Sequence, residues 1–232
     1  MNLPDPKRPP TQAALFPVRR RGALFLMAGI ALLTPVFAQA IEAAPYEVAR
    51  RFPDFELRHY GAGLIAEITV DGDFSEVGNK AFRTLADFIG GKNRERIKIA
   101  MTAPVIQAPV TEPGSTDRYV FAFVMPATFT SATLPQPADP RVRVREVEPR
   151  LMAAHRYSGT WSQSRYRTEE AILLDAVRSA GLKTIGAPMF ARYNPPFLPW
   201  FLRRNEVMIE VDDPAAPLDG APASAAPPAA AR

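Results

Sequence analysis

The sequence predicts an α+β fold. It should contain two ββαββ units whose strands form one antiparallel sheet system, curved or closed, with two helices packed outside. Three observations carry this. Paired runs of period-two alternation flank two stretches of helical periodicity. The order of elements is the same in both halves. Short signatures also recur at a constant offset of 87 residues, Gly72-Asp73-Phe74-Ser75 against Gly159-Thr160-Trp161-Ser162 and Leu64-Ile65-Ala66 against Leu151-Met152-Ala153.

In the first half, residues 55–60 alternate Phe55, Leu57 and His59 against Glu56, Arg58 and Tyr60, which predicts a strand. Gly61 to Gly63 turn the chain into a second strand over 64–70, rich in β-branched residues. Asp73-Phe74-Ser75-Glu76 has capping-box spacing, with Asp in place of Ser or Thr. Val77, Ala81, Phe82, Leu85, Phe88 and Ile89 then share one helical face, and Gly90-Gly91 ends the helix. The next stretch, GKNRERIKIAMTAPV at 91–105, passes from charge to alternation and stops at Pro104, which cannot donate to a ladder. It reads as a strand over 97–105 with an exposed rim, followed by another over 119–125. The second half repeats the order. Strands over 142–147 and 151–158 have Pro149 in the turn, and a helix carries Ile172, Leu173, Ala176, Val177 and Ala180 on one side and stops at Gly181. Strands over 189–193 and 206–211 complete the set.

The ends read differently. Arg19, Arg20 and Arg21 precede an uncharged run over 22–37, and Ala38-Gln39-Ala40 follows as a small-x-small cleavage pattern. Residues 1–40 are therefore expected to be a secretory signal peptide, with a retained N-terminal anchor as the alternative. The run is shorter than the ~20 residues of a spanning helix, and Pro35 interrupts it. Residues 213–232 are nearly all Ala and Pro, a disordered tail or semi-rigid spacer. The folded domain is expected over 41–212.

The whole chain has 28 Lys+Arg against 24 Asp+Glu, but residues 1–40 hold five of the basic and one of the acidic residues. The rest of the chain is formally neutral, so the basic balance belongs to the leader and argues against a nucleic-acid partner. There is no cysteine. That excludes thiol catalysis, cysteine zinc sites and iron–sulfur clusters, and leaves an exported domain to be held by its core alone. The G-x-S-x-G, H-E-x-x-H, Walker and G-x-G-x-x-G signatures are absent, which favours a binding protein over an enzyme.

Two histidines could act as ligands. His59 shares a strand face with Phe55 and Leu57, where an imidazole is either a satisfied core or rim residue or a ligand. His155 lies with Leu151, Ala153 and Tyr157, without an accompanying charge cluster on that face. The Pro-rich stretch 193–201 carries Phe197, Trp200 and Phe201, which either cap the core or line a pocket for a flat apolar ligand. Arg203 and Arg204 come directly after it and could pair carboxylates.

Arg58-His59-Tyr60-Gly61, Gly91-Lys92-Asn93, Lys98-Ile99-Ala100-Met101-Thr102-Ala103-Pro104-Val105, Tyr193-Asn194-Pro195-Pro196 and Arg203-Arg204-Asn205-Glu206-Val207 come in that order. Together they resemble the SOUL haem-binding protein family, over nearly the whole of 46–211. The resemblance implies a duplicated ββαββ fold forming a distorted β-barrel with two flanking helices. It also implies binding of haem or another porphyrin. His59 matches a position proposed in some relatives as an axial iron ligand, while other relatives hold haem in an apolar cleft with basic residues near the propionates. Arg58, Lys98, Arg203 and Arg204 are the basic candidates here, and Phe197 and Trp200 the apolar ones.

The expected function is thus an exported, periplasmic or secreted, haem or tetrapyrrole carrier, buffer or scavenger. One alternative is an enzyme acting on a small hydrophobic or tetrapyrrole substrate through Glu67, Tyr119 or Glu210. The other is an envelope protein-interaction module, with transient membrane or envelope association, in which the aromatic stretch forms an exposed patch.

Overall fold

The structure is a computed structural model that describes residues 41–74, 76–112 and 117–212. The leader, Ser75 and the Ala/Pro tail lie outside the described residues. The strands are β1 (Glu42–Ala43), β2 (Tyr46–Arg51), β3 (Glu56–Tyr60), β4 (Gly63–Asp71), β5 (Thr102–Ala103), β6 (Val105–Pro109), β7 (Arg118–Val124), β8 (Arg143–Val147), β9 (Arg150–Tyr157), β10 (Lys183–Arg192) and β11 (Asn205–Asp212). The helices are α1 (Val77–Ile89) and α2 (Gln163–Ser179). None of the described helices is long and apolar enough to cross a membrane.

Nine strands form one curled antiparallel sheet in the order β2-β3-β9-β11-β10-β6-β7-β4-β8, and β1 pairs with β5 in a separate parallel pair. The expected α+β class, two ββαββ units with two flanking helices, is what the structure has. Corresponding strands take mirrored places about the β6–β10 pair, β7 opposite β11, β4 opposite β9 and β3 opposite β8. Gly72 and Gly159, paired in the sequence, both take positive φ (134° and 149°) just ahead of the helices.

The helices cover one face of the sheet. Alternation sends Leu64, Ala66 and Ile68 of β4, Phe121 and Phe123 of β7, Phe190 of β10 and Val207 and Ile209 of β11 into this core. From the helices come Val77, Ala81, Leu85 and Phe88, and Tyr166, Leu173 and Val177. The sheet also carries apolar residues on the opposite face. Met152, Ala154, Ala191 and Met208 are buried there in a second cluster, with Tyr60, Met189 and Tyr193 packed against it. A sheet that is apolar on both faces must cover the second one, and curling does so here.

Local expectations were corrected in three places. Residues 97–101 are not strand. The buried Asn93 side chain holds the backbone of Ile97, donating to its carbonyl (2.6 Å) and accepting from its N–H (3.0 Å), and ties it to the end of α1 by donating to the Phe88 carbonyl (3.1 Å). The Ile99 N–H donates to the Ile89 carbonyl (2.8 Å), so this segment caps α1 rather than extending the sheet. In α2, Leu173 and Val177 are buried with Ala176 and Ala180 packed beside them as expected, but Ile172 is exposed, and Tyr166 and Glu169 join the buried face. Glu169 meets His155 of β9 there. Finally, the residue at the N-cap of α1 is Glu76, not Asp73, and the Glu76 side chain makes no cap hydrogen bond, whereas the Ser162 hydroxyl accepts from the Arg165 N–H at α2.

Candidate functional site

On the helix-free face the two arms of the curled sheet enclose a cleft. Ile65 (β4), Val124 (β7), Ile106 (β6), Met189 (β10), Met208 (β11) and Met152 (β9) line it from successive strands. Pro104 and the stretch Met125 to Ala127 with Phe129 close one side, next to the β1–β5 pair. The cavity volume, with the open mouth left out, is about 200 Å³. That is less than the ~300–1,000 Å³ of an enclosed small-molecule site, so a large flat ligand would fill the cleft and extend into its mouth. Adjacent thioethers give it a deformable, polarisable wall, since Met189 and Met208 are direct cross-strand neighbours.

The polar side chains at the cleft are Glu42, Tyr60, Thr102 and Arg150. Glu42 Oε1 accepts from the Ala127 N–H (3.1 Å), and Thr102 donates its hydroxyl to the Val124 carbonyl. The Tyr60 hydroxyl accepts from Arg58 Nη1 at 3.4 Å, and burial raises its pKa. Arg150 has a buried Nε with no partner, and desolvation lowers the pKa of its guanidinium.

Beside the cleft lies a buried ionic network. Arg58, 2 % exposed, forks onto Glu206, 0 % exposed, with Nη1–Oε2 2.8 Å and Nη2–Oε1 3.1 Å. Its Nε donates to Glu56 (3.0 Å), and its guanidinium stacks on Tyr46 (4.3 Å). Glu206 also accepts from the Tyr193 hydroxyl (2.7 Å) and from Arg204 Nη2 (2.8 Å), which stacks on Tyr193 (3.9 Å). Burial alone would push the Glu206 carboxyl up, but hydrogen bonds and charge from Arg58, with Tyr193 and Arg204, hold it below its ordinary value. Arg58 and Arg204 are therefore committed to a carboxylate of the protein itself.

The other expected residues stand apart from the cleft. His59 is exposed. It follows Leu57 on the helix side of β3, while its neighbour Tyr60 faces the cleft. Lys98 is exposed in the segment after α1. Phe197 is 86 % exposed and Trp200 58 %, so neither caps the core nor lines the cleft. Arg203 braces that loop from behind, donating to the Leu198 (2.7 Å) and Pro196 (2.6 Å) carbonyls while stacking on Trp161 (4.4 Å).

His155 does have a charged neighbourhood, contrary to the reading of its strand alone. Its Nδ1 faces the Asp54 carbonyl and its Nε2 faces Glu169 Oε2 at 2.9 Å, and Glu169 in turn pairs with Arg165 (2.6 Å). Both ring nitrogens are thus engaged in fixing the β2–β3 turn to α2. Of the enzyme candidates, Glu67 pairs with Arg145 (3.2 Å) near the surface and Tyr119 is buried in the core. No cluster of metal-ligating His, Asp or Glu occurs among the described residues.

Sequence reasoning missed Ile65, Ile106, Met152, Met189, Met208 and Arg150. The available signal was strands with large apolar residues on both faces, as in Leu64-Ile65 and Val207-Met208-Ile209.

Comparison with known proteins agrees with this architecture. The family model of the SOUL heme-binding protein matches residues 41–210. Heme-binding protein 2 of Mus musculus is 24% identical over 179 residues, covering 72% of this chain and 86% of the relative. The Homo sapiens protein of that name is 26% identical over 187 residues, covering 76% and 90%. Among solved structures, the EcmrR C-terminal domain superposes with a TM-score of 0.54 at 11% identity, over 72% of this chain and 98% of that one. A hydrolase from Listeria innocua does so with a TM-score of 0.51 at 10% identity, over 71% and 94%. These two likenesses are of fold. With a match spanning the described sheet and both helices, the chain belongs to the SOUL heme-binding protein family.

Proposed function

We propose that this protein binds haem or a related tetrapyrrole in the apolar cleft on the helix-free face of the sheet. The observation that carries the reading is the cleft itself, an apolar slot walled by Ile65, Ile106, Val124, Met189 and Met208, in a chain of this family. A flat macrocycle would lie between the two arms of the sheet, its faces against aliphatic and thioether side chains and its edge toward the mouth. When bound, haem supplies a redox-active iron. The chain's own residues exclude water from it and set its orientation. The leader pattern at 19–40 supports export to the periplasm or cell exterior, as a carrier, buffer or scavenger, with membrane anchoring through the N-terminus as the alternative.

Hemin titration followed in the Soret band tests the reading. Saturable binding with a shifted Soret maximum is expected. The same titration of His59→Ala should give an affinity within about twofold of the parent, because the side chain lies on the other face of β3. Absence of binding by the parent would remove the function, and loss of binding in His59→Ala would move the ligand to the other side of the strand.

A second reading concerns the loop, since Phe197, Trp200, Phe201 and Leu202 are all exposed. Aromatic side chains held in water on a braced loop suit transient contact with a membrane interface. In a Trp161→Phe background, Trp200 fluorescence should shift to the blue on adding phospholipid vesicles. An unchanged spectrum would dismiss this contact.

A further inference from the structure

We infer that Arg150 is the anchor for a carboxylate on the bound ligand, so that the cleft selects acidic, flat apolar molecules over neutral ones of the same shape. The inference rests on the tetrapyrrole reading of the same cleft and adds the chemical class it accepts.

Most polar groups at the cleft already have partners within the protein. Glu42 and Thr102 are satisfied by the backbone of Ala127 and Val124. Tyr60 accepts from Arg58, which leaves its hydroxyl at most a neutral donor beside Arg150. Arg58 itself, although close by, is closed off by Glu206 and Glu56. Arg150 alone among the cleft's charged side chains keeps a buried nitrogen without a partner. It opens β9 on the same face as Met152, with Tyr60 as its cross-strand neighbour. Glu210 acts on it through space without forming an ion pair, and Arg145 opposes it. A desolvated guanidinium with an unmet donor is unfavourable in the empty protein. It becomes favourable once an anion sits against it, and the carboxylate best uses its planar fork.

The partner chemistry is set by the surroundings. A phosphate or a small inorganic anion would leave the Ile65, Ile106 and Met189 wall facing water. A neutral hydrocarbon would leave Arg150 unmet. A ligand with an apolar body and a carboxylate on one edge satisfies both, and the propionates of haem are such groups.

Paired titrations of the protein with hemin and with hemin dimethyl ester, which lacks the free carboxylates, test this. The parent should bind hemin roughly tenfold or more tightly than the ester, the effect of one charge-assisted hydrogen bond. Arg150→Gln should bind the two alike, with the loss confined to hemin. The ligand-free Arg150→Gln protein should melt at the parent temperature or above it, since an unmet buried charge has been removed, and this melt verifies that the variant is folded. Parent protein that binds both porphyrins equally, or an Arg150→Gln variant that keeps the preference, would overturn the anchor while leaving the cleft as the binding site. Parent protein that binds neither porphyrin would overturn both.

Discussion

Arg58→Ala is expected to destabilise the fold by about 3–5 kcal/mol, on the order of 10 °C in melting temperature. The reason lies in what remains behind. Glu206 is fully buried, and its bidentate partner would vanish, leaving only Arg204 and the Tyr193 hydroxyl to balance it. Arg58→Lys should recover part of the loss, because an ammonium restores charge but not the fork. The effect is linked to pH. Glu206 is held below its ordinary value in the folded state, so its contribution is present above the unfolded carboxylate range and fades as pH falls through the folded value. The gap between parent and Arg58→Ala should therefore be widest near neutrality and narrow toward about pH 3. Thermal unfolding at both pH values reads this directly, and a variant within about 1 °C of the parent at pH 7 would mean that the network is not structural.

Ile106→Trp should abolish most porphyrin binding while sparing the fold. Ile106 is half-buried at the cleft, on the face of β6 opposite the core. An indole there extends into the empty slot rather than into packed side chains, so overpacking strain is avoided. It occupies space the ligand needs, and hemin affinity should fall on the order of a hundredfold, about 3 kcal/mol. The parent melting temperature should be kept to within a few degrees. Undiminished hemin affinity in a folded Ile106→Trp protein would place the ligand elsewhere.

Much of the fold was legible because it is written locally. The positions of β3, β8, β4 and β9 follow period-two alternation, and the positive-φ Gly72 and Gly159 mark the turns into both helices. The stretch after α1 misled because its sequence alternation is not an alternation of burial, Ile97 being exposed and Ile99 buried, and the Ile97 backbone is held by the Asn93 side chain instead of a neighbouring strand. A side chain that satisfies backbone groups from a distance of four residues cannot be told from a ladder by periodicity.

The site was less legible, for a different reason. Alternation correctly separated Leu57 and His59 from Arg58 and Tyr60, but it could not show what covers the second face. Arg58 is buried because Glu206, far along the chain, arrives two strands away in the sheet. His155 looked bland because Glu169 reaches it from α2. The aromatic loop drew attention through its composition, yet its bracing by Arg203 holds Phe197 and Trp200 outward. The aliphatic and thioether wall of the cleft carries no motif, although Tyr60, Gly61, Thr102 and Pro104 of the family-like motifs reach it. These residues become a site only when the arms of the sheet close on each other, which is long-range information.

The location of the ligand can be read amide by amide. Hemin carries a paramagnetic iron, which broadens the NMR signals of nearby residues. In a titration of the ¹⁵N-labelled protein, the amides of Ile65, Ile106, Val124, Met189 and Met208 should broaden first, with those of α1, α2 and the Phe197–Leu202 loop retained. Broadening confined to that loop and α1, with the five cleft amides untouched, would contradict binding on the helix-free face.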